Sequence, residues 1–379
     1  MRILLLACNR RYQNAHTELL PPLFAGVGDL VCFGPGFVDA ATLAKGISAF
    51  VSGQARFDFI VTDHFVLMWH GNVVAEGGPP FIGSYINFEP KEHVEFAAEA
   101  AEFFFKCDIT KVFFENMDLY KVPHELTEAL KKCGAYVLGW GREFQTSVSS
   151  LKLQGREVPK CASDNYYQFT CDNAERSISL PFFVPGSDVS FAPLSRRPRR
   201  VTVPGTNYPE RTEAIRRLRL QSIRDIVVRK LLSRWWRRQT VSWSRLDLAL
   251  YRHRFMWHLE DSQICYVTGG CLRYFVRKCV EVPAKGCLMV CEEPIGFTEA
   301  GFVSGENCLV LSIDELVDYV TKRFAIDEAQ RLASRGRNLI LRQHTLERRV
   351  QQLSQALTAI QDGTFKGSRW VKGSFEVLR

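Results

Sequence analysis

Arg273-Tyr274-Phe275-Val276-Arg277-Lys278-Cys279-Val280-Glu281-Val282-Pro283-Ala284-Lys285-Gly286-Cys287-Leu288-Met289-Val290-Cys291 reads as a helix, a glycine stop and a short apolar strand. A Gly/Pro loop follows and runs on to Gly305-Glu306-Asn307-Cys308. The spacing puts one carboxylate, Glu281, on the last turn of that helix, among Arg273, Arg277 and Lys278. An acid set among bases in front of a strand suits a nucleotide: the cations take a diphosphate and the carboxylate takes ribose hydroxyls. A carboxylate near a helix carboxyl end is unfavourable unless something there needs it. An ordinary amphipathic helix with a solvated basic face would carry the same residues.

Working outward, the chain before this stretch alternates strands and helices. Apolar runs at Arg2 to Cys8, Asp29 to Phe33, Phe57 to Thr62, Thr110 to Phe114 and Ala135 to Gly139 predict strands. Val94 to Cys107 and Pro123 to Lys132 predict helices between them. Short apolar strands spaced by helices imply a parallel, doubly wound sheet, whose ligands bind beyond the strands' carboxyl ends. Asn9, Gly34, Gly36, Asp63, His64 and Asp118 all fall there. Residues 141 to 180 read as a polar pause, and Leu180 to Gly186 with Ser195 to Arg200 as a Pro-rich linker. A second αβ series opens at Val201 to Val203, continues through the strand Ile264 to Thr268, and ends in helices Asp314 to Phe324, Glu328 to Leu341 and Thr345 to Ile360. The last has an apolar stripe of Leu346, Val350, Leu353, Leu357 and Ile360, with Arg348, Arg349, Gln351 and Gln352 on the other face.

Bulk properties narrow the class. A chain of 379 residues with 46% apolar and 24% charged residues has room for two globular units. Ile3 to Cys8 is too short for a membrane span and precedes Arg10 and Arg11, the wrong order for a signal peptide, so a cytoplasmic location is expected. The twelve cysteines include no C-x-x-C pair and have no His at zinc spacing, so buried reduced thiols are expected, and neither a metal nor another cofactor. The formal charge of +8 is concentrated: about seventeen Lys and Arg lie between Ser195 and Arg254, with Trp235 and Trp236 among them. The basic segment 196–238 is a candidate for peripheral contact with anionic membrane or nucleic acid, or is simply a solvated face.

Several segments, in order, resemble the CgeB-like (spore-maturation) branch of the group 1 glycosyltransferases. Phe33-Gly34-Pro35-Gly36 is similar to its Y-G-P-G after the second strand, and Leu180-Pro181 to Val184-Pro185-Gly186-Ser187-Asp188 to its linker. Gly205-Thr206-Asn207-Tyr208-Pro209-Glu210-Arg211 resembles the loop that opens its second domain. Arg277 to Gly286 resembles its R-K-Y-F-E-I-P-A-x-G, and Gly305 to Cys308 and His344 to Arg349 its closing elements.

The resemblance implies an α/β fold of two Rossmann-like doubly wound domains facing a cleft (GT-B). The expected division is an acceptor-side domain at 1–186, a linker at 187–200, a donor domain at 201–343 and a tail at 344–379 that crosses back onto the first domain. It also implies transfer of a sugar from a nucleotide-sugar donor to a glycan, protein or lipid-linked acceptor without a metal. Donor contacts would come from Gly205, Arg211, Thr268, Arg273, Lys278 and Glu281, with Glu281 on the ribose and Arg211 and Lys278 on the diphosphate. One departure is visible. Many retaining members carry a second glutamate eight residues before the ribose glutamate, and that position is Arg273. In the first half His64 is the candidate base, since imidazole titrates near neutral pH, with Asp63 and Asp118 as further catalytic candidates. Nucleotide-sugar epimerisation or hydrolysis on the same fold, and non-enzymatic binding of anionic surfaces, are the competing readings.

Overall fold

The computed structural model describes residues 1–9, 15–67, 91–115, 124–139, 149, 153, 155, 164–204, 209–218, 255–268 and 275–379. Asp118, Gly205, Arg273 and the basic run beyond Leu218, with Trp235 and Trp236, lie outside the described residues.

Six strands form the first sheet: β1 (Arg2–Leu6), β2 (Asp29–Phe33), β3 (Phe59–Asp63), β4 (Thr110–Phe114), β5 (Tyr136–Gly139) and β6 (Ser177–Ser179). Their order is β2-β1-β3-β4-β5-β6, and every pairing is parallel. A parallel sheet is covered on both faces, which is why Ile3 to Leu6 of β1 and Phe59 to Val61 of β3 are apolar and buried without alternation. Helices α1 (Ala15–Ala25), α2 (Lys91–Lys106), α3 (His124–Lys132) and α4 (Asp164–Asp172) belong to this unit. The polar pause at 141–180 therefore ends in regular structure: α4 and the edge strand β6 close the sheet. Ser-Ile-Ser is too short and too polar to announce itself as a strand.

The second sheet, ordered β10-β9-β8-β7, is also parallel and contains β7 (Arg199–Thr202), β8 (Ser262–Val267), β9 (Leu288–Cys291) and β10 (Leu309–Val310). Around it stand α5 (Pro209–Arg217), α6 (Lys278–Ala284), α7 (Ile313–Asp318) and α8 (Ile326–Gln343). The basic run that leads into β7 is not a free patch. Arg197 is buried and donates to the carbonyls of Ala192, Leu259, Ser262 and Lys285, while Arg200 covers the Phe324 ring at 4.0 Å.

The chain then returns. His344 and Thr345 lie beside the connector: Val184 N–H donates to His344 O and Leu346 N–H to Val184 O. Thr345 caps the last helix, α9 (Leu346–Gln361), which packs Val350 against Gly26 at the end of α1. A Cβ on Gly26 would meet Val350 Cγ2 at 2.4 Å, so only glycine permits that approach. Beyond α9 an antiparallel hairpin, β11 (Ser368–Val371) and β12 (Ser374–Val377), docks on β6. Trp370 is buried, with Nε1–H donating to Ser179 O at 2.7 Å, whereas Val371 beside it is exposed. Leu180 to Val184, part of the stretch read as a linker, is buried as well. One continuous apolar cluster runs from Ile3 and Val61 through Phe183, Leu357 and Trp370 to Cys265 and Met289, so the two units share a core.

Candidate functional site

The topology of the second sheet collects four side chains at one edge. In a β-strand-to-helix-to-parallel-strand unit the helix runs back against the strands, so its first turn lies at their carboxyl edge. α5 follows β7 and carries Arg211 in its first turn; α6 precedes β9 and carries Lys278 and Glu281 in its first turn. Thr268 is the residue just past β8. Glu281 is the fourth of seven helical residues, so it belongs to the last turn, as its spacing before Gly286 implied, and to the first turn as well. Residues 275–277 are not helical, and α6 is only seven residues long, ended by Gly286 at φ +63°.

Arg211 and Thr268 are both buried, and Arg211 Nε–H donates to Thr268 Oγ1 at 3.1 Å. Glu281 is buried and ion-pairs with Arg277, Nε to Oε1 2.8 Å. Lys278 is half-buried between these groups. Burial first, and then the neighbouring Arg211 guanidinium, pull its ammonium down from 10.5 to about 8; Glu281 pulls weakly the other way. Arg211 and Lys278 stand within electrostatic reach of one another, beside the paired Glu281 and Arg277, on a partly desolvated surface. Such a surface can take a polyanion.

At the carboxyl edge of the first sheet, Asp63 ends β3 and is buried; its Oδ1 accepts from Val66 N–H at 3.1 Å, capping the single turn His64–Leu67. His64 begins that turn, and its side chain lies outside the described residues. Asn9 Nδ2–H donates to Gly36 O at 3.1 Å, tying the end of β1 to the Gly34-Pro35-Gly36 turn. Glu115, one residue past β4, is a group the sequence reading did not single out. It is buried beside Leu19, Leu23, Leu138 and Phe182, and burial pushes its carboxyl up to about 8. Its position at a strand's carboxyl end was the available signal.

None of the ten described cysteines is in a disulfide, and burial raises the thiols of Cys265, Cys279, Cys287, Cys291 and Cys308. Among the described residues no group of three or more His, Cys, Asp or Glu is placed to hold a metal ion, and no helix is long and apolar enough to cross a membrane.

Residues 190–355, the stretch holding all four of these side chains, match the family model described as glycosyl transferase-like. Anabaena Alr3699/HepE, solved in complex with UDP and glucose, superimposes with a TM-score of 0.53 at 14% identity, covering 95% of this chain and 100% of that one. Sucrose-phosphate synthase from Thermosynechococcus elongatus superimposes with a TM-score of 0.52 at 11% identity, covering 96% and 100%. The fold is that of the GT-B glycosyltransferases. The second sheet and its flanking helices form the glycosyl transferase-like segment, and the first sheet is the core of the other Rossmann-like unit of the GT-B fold. Comparison with curated proteins finds no match.

Proposed function

We propose that this protein transfers a sugar from a uridine diphosphate sugar to a glycan, protein or lipid-linked acceptor, with no metal taking part. The reading rests above all on the Arg211–Lys278 pair, two cations placed side by side at the carboxyl edge of a glycosyl transferase-like sheet. The Alr3699/HepE structures with UDP or UDP-glucose make uridine the first base to try.

As the glycosidic bond to phosphate lengthens, negative charge builds on the leaving diphosphate and the sugar becomes oxocarbenium-like. Fixed cations at that point stabilise the transition state more than the ground state. Arg211, held in place by Thr268, and Lys278 meet the diphosphate; Glu281 accepts hydrogen bonds from the ribose hydroxyls. Asp63, by capping its turn, sets where His64 leaves β3, and His64 is the candidate base for the acceptor hydroxyl. The CgeB-like motifs favour that branch of the family.

A thermal-shift screen against UDP-, GDP-, dTDP- and ADP-sugars tests the donor, since a ligand that binds only the folded state raises the melting temperature. UDP-sugars should stabilise the protein, and EDTA-treated enzyme should keep its turnover. Turnover abolished by EDTA and restored by Mg²⁺ or Mn²⁺ would overturn the metal-free reading.

A further inference from the structure

Arg277 stands just ahead of α6 and Glu281 one turn on, the i,i+4 spacing that puts two side chains on one helix face. Arg277 Nε lies 2.8 Å from Glu281 Oε1, with only 15% and 8% of the two side chains exposed. Lys278 is next in sequence and within electrostatic reach of the same carboxylate, yet it forms no ion pair with it; the larger influences on its ammonium are burial and Arg211. The engaged partner of Glu281 is therefore the arginine.

That choice has chemical consequences. A lone carboxylate between two cations would swing onto the lysine, and the pair would neutralise each other where a diphosphate has to bind. A guanidinium beside Oε1 holds the Glu281 carboxylate toward the arginine and leaves Lys278 its charge. An ionised carboxylate held in one orientation can accept from two adjacent hydroxyls, and it loses a hydrogen bond when one of them is absent.

We propose that Arg277 is a positioning residue for donor recognition: it holds Glu281 off Lys278, so that the carboxylate reads a ribose 2′,3′-diol while Lys278 meets the diphosphate. This rests on the donor-site reading above and extends it to selectivity. Ribonucleotides are preferred over 2′-deoxyribonucleotides, and the preference runs through a residue that does not itself touch the sugar. An arginine that only stabilised the fold would lower the melting temperature without altering that preference.

Calorimetric titration of the full chain with UDP and with 2′-deoxy-UDP, for wild type, Arg277→Lys and Arg277→Met, tests the proposal alongside melting temperatures. Wild type should prefer UDP by roughly tenfold, the worth of one hydrogen bond to a charged acceptor. Arg277→Met should bring the ratio to within about twofold of unity and weaken both ligands as Glu281 moves onto Lys278, and Arg277→Lys should recover part of the preference. A wild-type ratio retained in Arg277→Met overturns the role of Arg277 while leaving the donor site standing. A wild type that binds UDP and its deoxy form equally, or binds neither, overturns the donor-site reading itself and this inference with it. Should Arg277→Met not fold, Arg277→Lys decides: a reduced ratio at unchanged melting temperature supports the role, and an unchanged ratio overturns it.

Discussion

Lys278 titrates where its work is done. A bound diphosphate favours the ammonium form and raises a pKa that stands at about 8 in the unliganded site. Nucleotide affinity should therefore be full below pH 8 and fall as pH rises through it, at most about tenfold per unit for one coupled proton. Titrations with UDP from pH 7 to 9.5 would read this slope, and Lys278→Met should be weaker and flat. At the neighbouring position, Glu281→Ala should cost about 1.5–3 kcal/mol of nucleotide affinity, the worth of hydrogen bonds to a charged group. Circular dichroism should show that the variant stays folded; unchanged affinity in a folded variant would remove Glu281 from the ribose. Much at this scale was legible, because a carboxylate among bases in a short helix is written in consecutive residues. What could not be read was the pairing. Arg277, Lys278 and Arg273 look equivalent in sequence, and only the real start of α6 shows which one faces Glu281.

At the scale of elements, α9 is the instructive case. Its apolar stripe is where periodicity put it, with Leu353 and Leu357 wholly buried. Arg349, spaced like a solvated residue, is wholly buried too. Its Nε donates to Pro181 O at 2.9 Å, its Nη1 to Gln343 O at 2.8 Å and its Nη2 to Phe182 O at 3.2 Å. Nη2 also meets His344 Nδ1, while His344 Nε2 lies 2.9 Å from Ala300 O. The guanidinium rests 4.8 Å over the Trp370 ring, and the imidazole stacks on the same ring at 5.2 Å. A helix wheel cannot reveal this, since two of the partners that satisfy the charge are carbonyls 168 and 167 residues earlier. Arg349→Met would orphan those acceptors and should destabilise the protein by roughly 3–5 kcal/mol, measured by denaturant unfolding. Burial and the Arg349 charge hold His344 well below its usual 6.5. The unfolded chain then takes up a proton that the folded one refuses. Stability from this group is present above pH 6.5 and is lost as pH falls below it, a trend that His344→Gln should flatten in melting curves.

For the whole molecule, the alternation of strands and helices disclosed two αβ units, because buried parallel strands must be apolar along their full length. Polarity hid β6 and α4, and nothing local marked the closing hairpin, whose docking partner lies far back in the chain. The crossing tail makes a prediction that belongs only to this scale. Deleting residues 343–379 leaves Arg211, Thr268, Lys278 and Glu281 in place but removes α9, Arg349 and Trp370 from the shared core. Turnover should vanish and melting should move down and broaden, since burial of each large apolar side chain contributes roughly 1.5–3 kcal/mol. A truncated chain with wild-type turnover and melting would show the tail to be dispensable.

The hydrogen bond from Trp370 to Ser179 spans 191 residues of sequence. It gives the protein an order of assembly in time as well as in space. While the chain is being made, the edge strand β6 emerges long before the hairpin that covers it, and Leu180 to Val184 emerge long before α9. The first unit leaves the ribosome with an open sheet edge and a bare apolar connector, and it stays so until the final residues arrive. Contacts of such long range are slow to close and expose the waiting surface to wrong partners. Nascent chains stalled before Ser368 should be cut readily at the connector by a protease, and chains released at full length should resist it.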